Sequence, residues 1–257
     1  MTVRPKKRLG QHFLVDENIL GVVDRFAELA PDDVVLEVGP GLGILTRYLA
    51  DRVRLVHAIE LDRSLEAPLA AALGGRDNVL LTFGDALTLD LADLEPPPGK
   101  LAANLPYNIA TPLVLESFDS PQSIERWCVM VQREIADRFF AAPRTKAYGA
   151  VSVLVQLAAR RTGFHPVSRT VFRPPPNVDS ALVAFRRIEL PPRFERVKEI
   201  VEAAFAHRRK TLPNSLELAD AATREQGAAA LAAIGRDAAT RAEALLPSEF
   251  VALTDAL

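Results

Sequence analysis

The 257-residue chain predicts a doubly wound α/β sheet followed by a small all-α domain. Three observations point there. Short apolar, β-branched runs alternate with longer helical patterns, and a glycine-rich turn follows the run at 34–38. Strand signals then cease near Pro191-Pro192, beyond which only Ala- and Leu-rich helical patterns remain. Such alternation specifies parallel strands joined by helices, with ligand sites at the carboxyl ends of the strands.

In chain order, the strands are expected at 34–38, 55–59, 79–83, 100–103, 127–131 and 181–187, each a short β-branched or apolar run. Helical periodicity covers 17–29, 43–51, 64–73, 111–118, 133–141 and 147–160. Past the two prolines, helices are expected at 195–206, 211–219, 224–234 and 239–256. The organisation that follows is a basic N-terminal arm at 1–15, an α/β domain at 16–189 and a helical domain at 190–257.

Composition narrows the functional classes. Hydrophobic residues make up 49% and charged residues 25%, with a mean hydropathy of +0.08, as in ordinary globular proteins. No apolar run approaches the roughly 18 residues of a spanning helix. Polar residues also follow Arg4, Lys6, Lys7 and Arg8 where a signal peptide would turn apolar. A cytoplasmic protein with no membrane partner is expected. A lone Cys128 excludes an internal disulfide, and His12, His57, His165 and His207 are scattered without metal-ligand spacing, so no metal is expected.

The net charge of −2 conceals a strong asymmetry. Residues 1–15 carry four basic groups and no acid, 16–119 hold 7 Lys/Arg against 18 Asp/Glu, and 120–257 hold 20 against 15. The stretch 138–178 has no acid at all but contains Arg138, Arg144, Lys146, Arg160, Arg161, Arg169 and Arg173; Arg208-Arg209-Lys210 follow. Any one cluster reads as solvated surface, but three together read as a face for a polyanion, since phosphate contacts supply most sequence-independent affinity for nucleic acid. Arg144, Lys146, Arg208, Arg209 and Lys210 are the RNA-binding candidates.

The turn Gly39-Pro40-Gly41-Leu42-Gly43 lets backbone approach a ligand closely. A dinucleotide fingerprint requires G-x-G-x-x-G, whereas here the third glycine comes one position early and Glu37 precedes the turn. That spacing argues against NAD and for a ligand lacking a pyrophosphate. Glu60, ending the second strand, is placed to accept two ribose hydroxyls. Asp85, following the third, can accept an adenine amino group, although alone it could equally cap a helix. Gly39, Gly41, Glu60, Leu61, Asp85 and Ala86 together read as a site for S-adenosylmethionine.

The fourth strand ends in Asn104-Leu105-Pro106-Tyr107. The amino group of a heteroaromatic ring is a poor nucleophile because its lone pair is delocalised. Acceptance of its two N–H hydrogens by the Asn104 amide oxygen and a main-chain carbonyl of the Leu105–Pro106 turn stabilises positive charge developing on that nitrogen. Proline fixes the turn, and Tyr107 offers a face for a base taken out of its stack. A plain strand-ending turn would explain four residues in isolation, but not their place one strand beyond the adenine acid.

These residues, in order, resemble the ribosomal RNA adenine dimethyltransferase family. The likeness runs through Leu9-Gly10-Gln11-His12-Phe13-Leu14, the 37–43 turn, Ile59-Glu60-Leu61-Asp62, Gly84-Asp85-Ala86 and the tetrapeptide. It continues through Lys146-Ala147-Tyr148-Gly149, Phe172-Arg173-Pro174-Pro175-Pro176-Asn177-Val178-Asp179-Ser180-Ala181 and the segment at 204–212. The resemblance implies a Rossmann-like methyltransferase sheet. It also implies cofactor contacts from His12, Leu14, Gly39, Glu60, Asp85 and Asn104, and a flipped adenine flanked by Tyr107 and Phe172. The implied product is N6,N6-dimethyladenosine at two adjacent adenines in a hairpin near the 3′ end of 16S rRNA, with the immature small subunit as partner and the enzyme a monomer. The chain has His12 where the family often has Asn, and Pro213 where a further basic residue is common. The competing readings are a 23S rRNA adenine N6-methyltransferase and a non-catalytic RNA-binding assembly factor; intact Glu60, Asp85, Asn104 and Tyr107 weigh against the latter.

Overall fold

A computed structural model describes residues 5–6 and 10–257. Arg4, Lys7 and Arg8 of the basic arm, and Leu9 of the first motif, lie outside the described residues. By contact density the chain forms two units, Met1–Ala136 with Arg161–Arg187, and Asp137–Arg160 with Ile188–Leu257.

In the first unit, β1 (Phe13–Leu14) and α1 (Asn18–Ala27) precede β2 (Val34–Val38), α2 (Ile44–Ala50), β3 (Leu55–Glu60), α3 (Glu66–Leu73), β4 (Val79–Phe83) and β5 (Lys100–Asn104). Next come α4 (Ala110–Asp119), β6 (Arg126–Gln132) and α5 (Arg133–Phe139), whose last turn passes into the second unit. There α6 (Ala150–Ala158) leads into β7 (Ala159–Val167), which returns to the first unit ahead of β8 (Phe172–Arg173) and β9 (Ser180–Arg187). The main sheet has the order β4-β3-β2-β5-β6-β9-β7, parallel from β4 through β6, with β9 antiparallel to β6. The six strands expected from sequence all form, within one residue at each end.

The central strands are fully buried runs such as Val34–Val38, as a sheet covered on both faces requires. Trp127, Phe118 and Phe185 pack tightly under β6 and β9, with the Trp127 indole N–H donating to Ser117 Oγ at 2.8 Å. Aromatic pairs of this kind add about 0.5–1.5 kcal/mol beyond area burial. β2 has β3 on one side and β5 on the other, so the chain reverses its winding between them. That switch point is where open α/β sheets bind ligands.

The structure corrects the expected helix at 147–160. It stops at Ala158, and Ala159–Val167 form an edge strand beside β9. No glycine or proline marks the change, because pairing with a distant strand decides it rather than local propensity. The two-residue pair β1–β8, with Phe13 opposite Arg173 and Leu14 opposite Phe172, was equally beyond local pattern.

In the second unit, α7 (Phe194–Ala206), α8 (Leu212–Leu218), α9 (Arg224–Ala233) and α10 (Pro247–Ala256) pack with α6. The expected continuous helix at 239–256 is replaced by a 3₁₀ turn at Ala242–Ala244 followed by α10. Pro247 sets that start, since proline is accommodated in the first turn of a helix but not in its interior. Thr223 caps α9, its Oγ1 accepting from Gln226 N while Gln226 Oε1 accepts from Thr223 N. Tyr148 is buried, donating from its hydroxyl to Leu245 O at 2.7 Å with its ring edge-on to Phe205.

Candidate active site

The carboxyl ends of β2, β3, β4 and β5 and the arm at 10–14 enclose one pocket. His12, Leu14, Gly39, Gly41, Glu60, Leu61, Asp85, Ala86 and Asn104 all line it, and so do Leu105, Pro106 and Tyr107. Five separate sequence motifs are thereby brought to one place. Phe172 is the exception: it is only 3% exposed, packs into the core with Leu14, Val23 and Leu182, and does not border the pocket. Its pairing with Leu14 turns the ring inward, so the expected placement of Phe172 against a flipped base is not seen.

The glycine turn has a steric basis. Gly39 and Gly41 adopt φ of +77° and +60°, a region that side chains other than glycine rarely enter. A Cβ at Gly39 would lie 3.2 Å from the Pro106 ring, and one at Gly41 3.0 Å from the Phe13 ring. The turn is therefore held between the tetrapeptide and the arm. Glu60 is fixed at its edge, accepting from Gly41 N at 3.1 Å and Asp62 N at 2.8 Å. Burial raises its pKa, and those backbone N–H groups pull it back.

Glu37, which sequence reasoning used only to exclude a dinucleotide, also lines the pocket at 1% exposure. Burial, with the negative charge of Glu60 adding to it, pushes its carboxyl up to about 8. The Thr46 hydroxyl lies near enough to temper that shift, yet neither Glu37 Oε2 nor Thr46 Oγ1 reaches a hydrogen-bond partner. Orphaned polar atoms are costly inside a protein. Beside a glycine cradle and a pinned ribose-type acid, the Glu37 carboxyl, which lines the pocket, is a group a polar ligand would satisfy, and the set fits S-adenosylmethionine. Asp85 Oδ1 accepts from Leu87 N at 3.0 Å, while Oδ2 has no partner among the described residues.

At the tetrapeptide, Asn104 Nδ2 donates to His12 O at 3.2 Å. The amide is thus oriented with Oδ1 as its remaining acceptor, an assignment drawn from the hydrogen-bond network. Pro106 O already accepts from Ile109 N and Ala110 N, whereas Leu105 O takes no backbone hydrogen bond among the described residues. Leu105 therefore supplies the open main-chain acceptor. The Tyr107 hydroxyl shares a 2.7 Å hydrogen bond with Ser180 Oγ, and the His12 ring stacks on the Tyr107 ring at 5.5 Å. Burial raises the Tyr107 pKa, keeping the phenol neutral.

The arm has its own anchor. Asp62 accepts from Lys6 Nζ at 2.6 Å and from Gln11 Nε2 at 2.9 Å, and His12 Nδ1 is 2.8 Å from Pro174 O. Burial opposes ionisation of Asp62, but the hydrogen bonds from Lys6, Ser64 and Gln11 outweigh it and hold the carboxyl well below the usual range. Sequence reasoning missed Gln11 and Asp62 as a pair because nothing local links positions so far apart.

The RNA-binding candidates all fall in the second unit. Arg208 Nη2 donates to Tyr148 O at 2.9 Å and its guanidinium lies 3.6 Å from Glu243, whose backbone carbonyl accepts from Arg144 N. The cluster at 144–146 and the cluster at 208–210 therefore form one exposed basic surface. Among the described residues, no group of acids, histidines or cysteines could hold a metal ion, and no helix is long and apolar enough to cross a membrane.

Known proteins share this chain's sequence and fold. The family model described as ribosomal RNA adenine dimethylase matches residues 3–243. A protein of Rubrobacter xylanophilus named ribosomal RNA small subunit methyltransferase A is 51% identical over 253 residues, covering 98% of this chain and 95% of that protein. The crystal structure of the 23S rRNA methyltransferase ErmE superposes with a TM-score of 0.68 at 32% identity, covering 95% of this chain and 99% of that one. A dimethyladenosine transferase of Plasmodium falciparum shares the fold, with a TM-score of 0.80 at 24% identity over 94% and 96% of the two chains.

Proposed function

The chain belongs to the ribosomal RNA adenine dimethylase family, and on that premise we propose that it dimethylates N6 of two adjacent adenines in a hairpin near the 3′ end of 16S rRNA. Its substrate is the immature small ribosomal subunit, and it acts in the cytoplasm as a monomer without a metal. Bound S-adenosylmethionine supplies the electrophilic methyl group. The chain's own residues bind and orient both reactants: Glu60 holds the ribose, Asp85 the adenine ring, and the Gly39–Gly41 turn admits the ligand against the backbone.

The observation that carries the reading is the pair of open acceptors at the rim, Asn104 Oδ1 and Leu105 O. Two acceptors match the two N–H hydrogens of an exocyclic amine, and after one methyl transfer Asn104 or Leu105 still holds the remaining hydrogen. Stabilising charge as it develops on the nitrogen is the main source of rate in such sites. No strong base is required, because the alkylated nitrogen becomes acidic and water accepts its proton. Tyr107, with one face against His12, presents the other to the extruded adenine.

Large-subunit RNA is the competing substrate, raised by the 32% likeness to a 23S rRNA methyltransferase. The 51% relative named for the small subunit favours 16S rRNA. Offering equal amounts of unmethylated 30S and 50S particles with labelled cofactor separates the two: label is expected in 16S rRNA, and label confined to 23S rRNA would reverse the assignment.

A further inference from the structure

Just beyond the Tyr107–Ser180 hydrogen bond, the fold forms a second open cleft of about 570 Å³. This lies within the roughly 300–1,000 Å³ of small-ligand sites. Strand pairing places it: Gln132 at the end of β6 lies opposite Ser180, and Arg133 N donates to Asp179 O at 3.0 Å. Gln132, Arg133, Arg169, Asn177 and Asp179 line the cleft, with Glu134 and the exposed Val178. The lining mixes chemistries in a specific way. It combines two guanidinium groups with two side-chain amides and two carboxylates, whereas a plain phosphate patch would be uniformly basic.

We infer that this cleft receives the nucleotide adjacent to the target adenosine in the RNA, and that Gln132 and Asn177 read its base; this rests on the methylation reading above. Arg169 is exposed, and its guanidinium has no hydrogen-bond or ion-pair partner among the described residues, which suits it to the flanking phosphate. The Arg169 backbone N–H is 3.4 Å from Asp179 Oδ1, tying the Arg169 turn to the loop at 177–179. Arg133 lies over the Phe164 ring at 4.8 Å, and Arg161 at 5.9 Å from the same ring. That arrangement holds a planar cationic group at the cleft edge, and single-stranded RNA bases stack on guanidinium planes as well as on aromatic rings. A side-chain amide offers a donor and an acceptor together, the pattern that pairs with N6 and N7 of adenine. Asn177 follows three consecutive prolines, Pro174-Pro175-Pro176, whose fixed φ keeps the loop that carries it stiff. An adenine neighbour is the base this cleft should prefer.

The test uses unmethylated 30S particles in which one of the paired adenines is kept as target and its neighbour is adenine, guanine or uracil. The full-length protein should methylate the adenine-neighbour particle about tenfold faster in kcat/KM than the uracil one, the order of one bidentate base contact. Gln132→Ala and Asn177→Ala should each collapse that ratio toward one. Arg169→Ala should raise KM for all three particles while leaving kcat and the ratio intact. Cofactor affinity of each variant, measured by calorimetry, should stay at the wild-type value and so report folding independently. A wild-type ratio near one, or a ratio that survives both amide variants, overturns the proposal while the methylation reading stands. Wild-type protein inactive on every particle would remove both.

Discussion

At Asn104 the chemistry depends on which way one amide faces. Its Nδ2 is spent on His12 O, so Asn104→Ala removes an acceptor from the reacting nitrogen and a tie to the arm. Turnover should fall about 10²- to 10³-fold, the scale of a lost charge-stabilising partner, with affinity for 30S particles nearly unchanged in a filter-binding assay. A parallel loss of particle binding would indicate a folding defect in place of a chemical one. Glu37 yields a different prediction. Its carboxyl titrates near 4.5 when unfolded and at about 8 in the fold, so the unfolded chain releases its proton first as pH rises. Stability should therefore be highest below about pH 4.5 with respect to this group, decline from there to about pH 8, and level off above. The total is at most a few kcal/mol, since each tenfold change in proton affinity between the two states corresponds to about 1.4 kcal/mol. Denaturant titrations of the ligand-free protein should show that decline, and Glu37→Gln should flatten it. An identical pH slope in the variant would mean that the Glu37 carboxyl is already ionised inside the fold.

Among the elements, the arm and the glycine turn close on each other from opposite sides. Phe13 packs where a Cβ at Gly41 would sit, and Asp62 ties Lys6 and Gln11 to the end of β3. Replacing Asp62 by Ala removes both ties and the 2.6 Å Ser64 hydrogen bond. Cofactor affinity should drop about 5- to 10-fold by calorimetry, consistent with roughly 1 kcal/mol, the net worth of a typical hydrogen bond. Unchanged affinity would mean that the β1–β8 pairing alone seats the arm. Elements with their own local signal were legible in the sequence: the Val34–Val38 run, the Gly39–Gly43 turn, and the helical pattern at 224–234. Three features were not. The switch from α6 to β7 falls inside Ala158-Ala159, with no glycine or proline at the junction, and the segment becomes a strand because β9 is beside it. The inward turn of Phe172 follows from a two-residue pairing with an arm more than 150 positions away. The burial of Glu37 beside Thr46 depends on how α2 packs on β2, which periodicity does not specify.

Across the whole molecule, the charge asymmetry of the sequence resolves into chemistry on one unit and a basic surface on the other. The acidic first half supplies Glu37, Glu60 and Asp85 to the pocket. The basic residues 144–146 and 208–210 meet in the second unit through Tyr148 and Glu243. Neutralising Arg208, Arg209 and Lys210 together should weaken binding to 30S particles and reduce the slope of log affinity on log salt by about 2. Cofactor affinity should be untouched. A salt slope equal to that of the wild type would return the cluster to ordinary surface.

The most direct test of the central claim, that the 104–107 turn is an adenine clamp acting on small-subunit RNA, is nucleoside analysis of 16S rRNA. Unmethylated 30S particles are incubated with the cofactor and either wild-type protein or Asn104→Ala, and the modified hairpin is isolated and digested. Wild-type protein should yield N6,N6-dimethyladenosine at both adjacent positions, and Asn104→Ala should yield almost none in the same time. Full yield from the variant, or a wild-type product at any atom other than N6 of those adenines, would contradict the account.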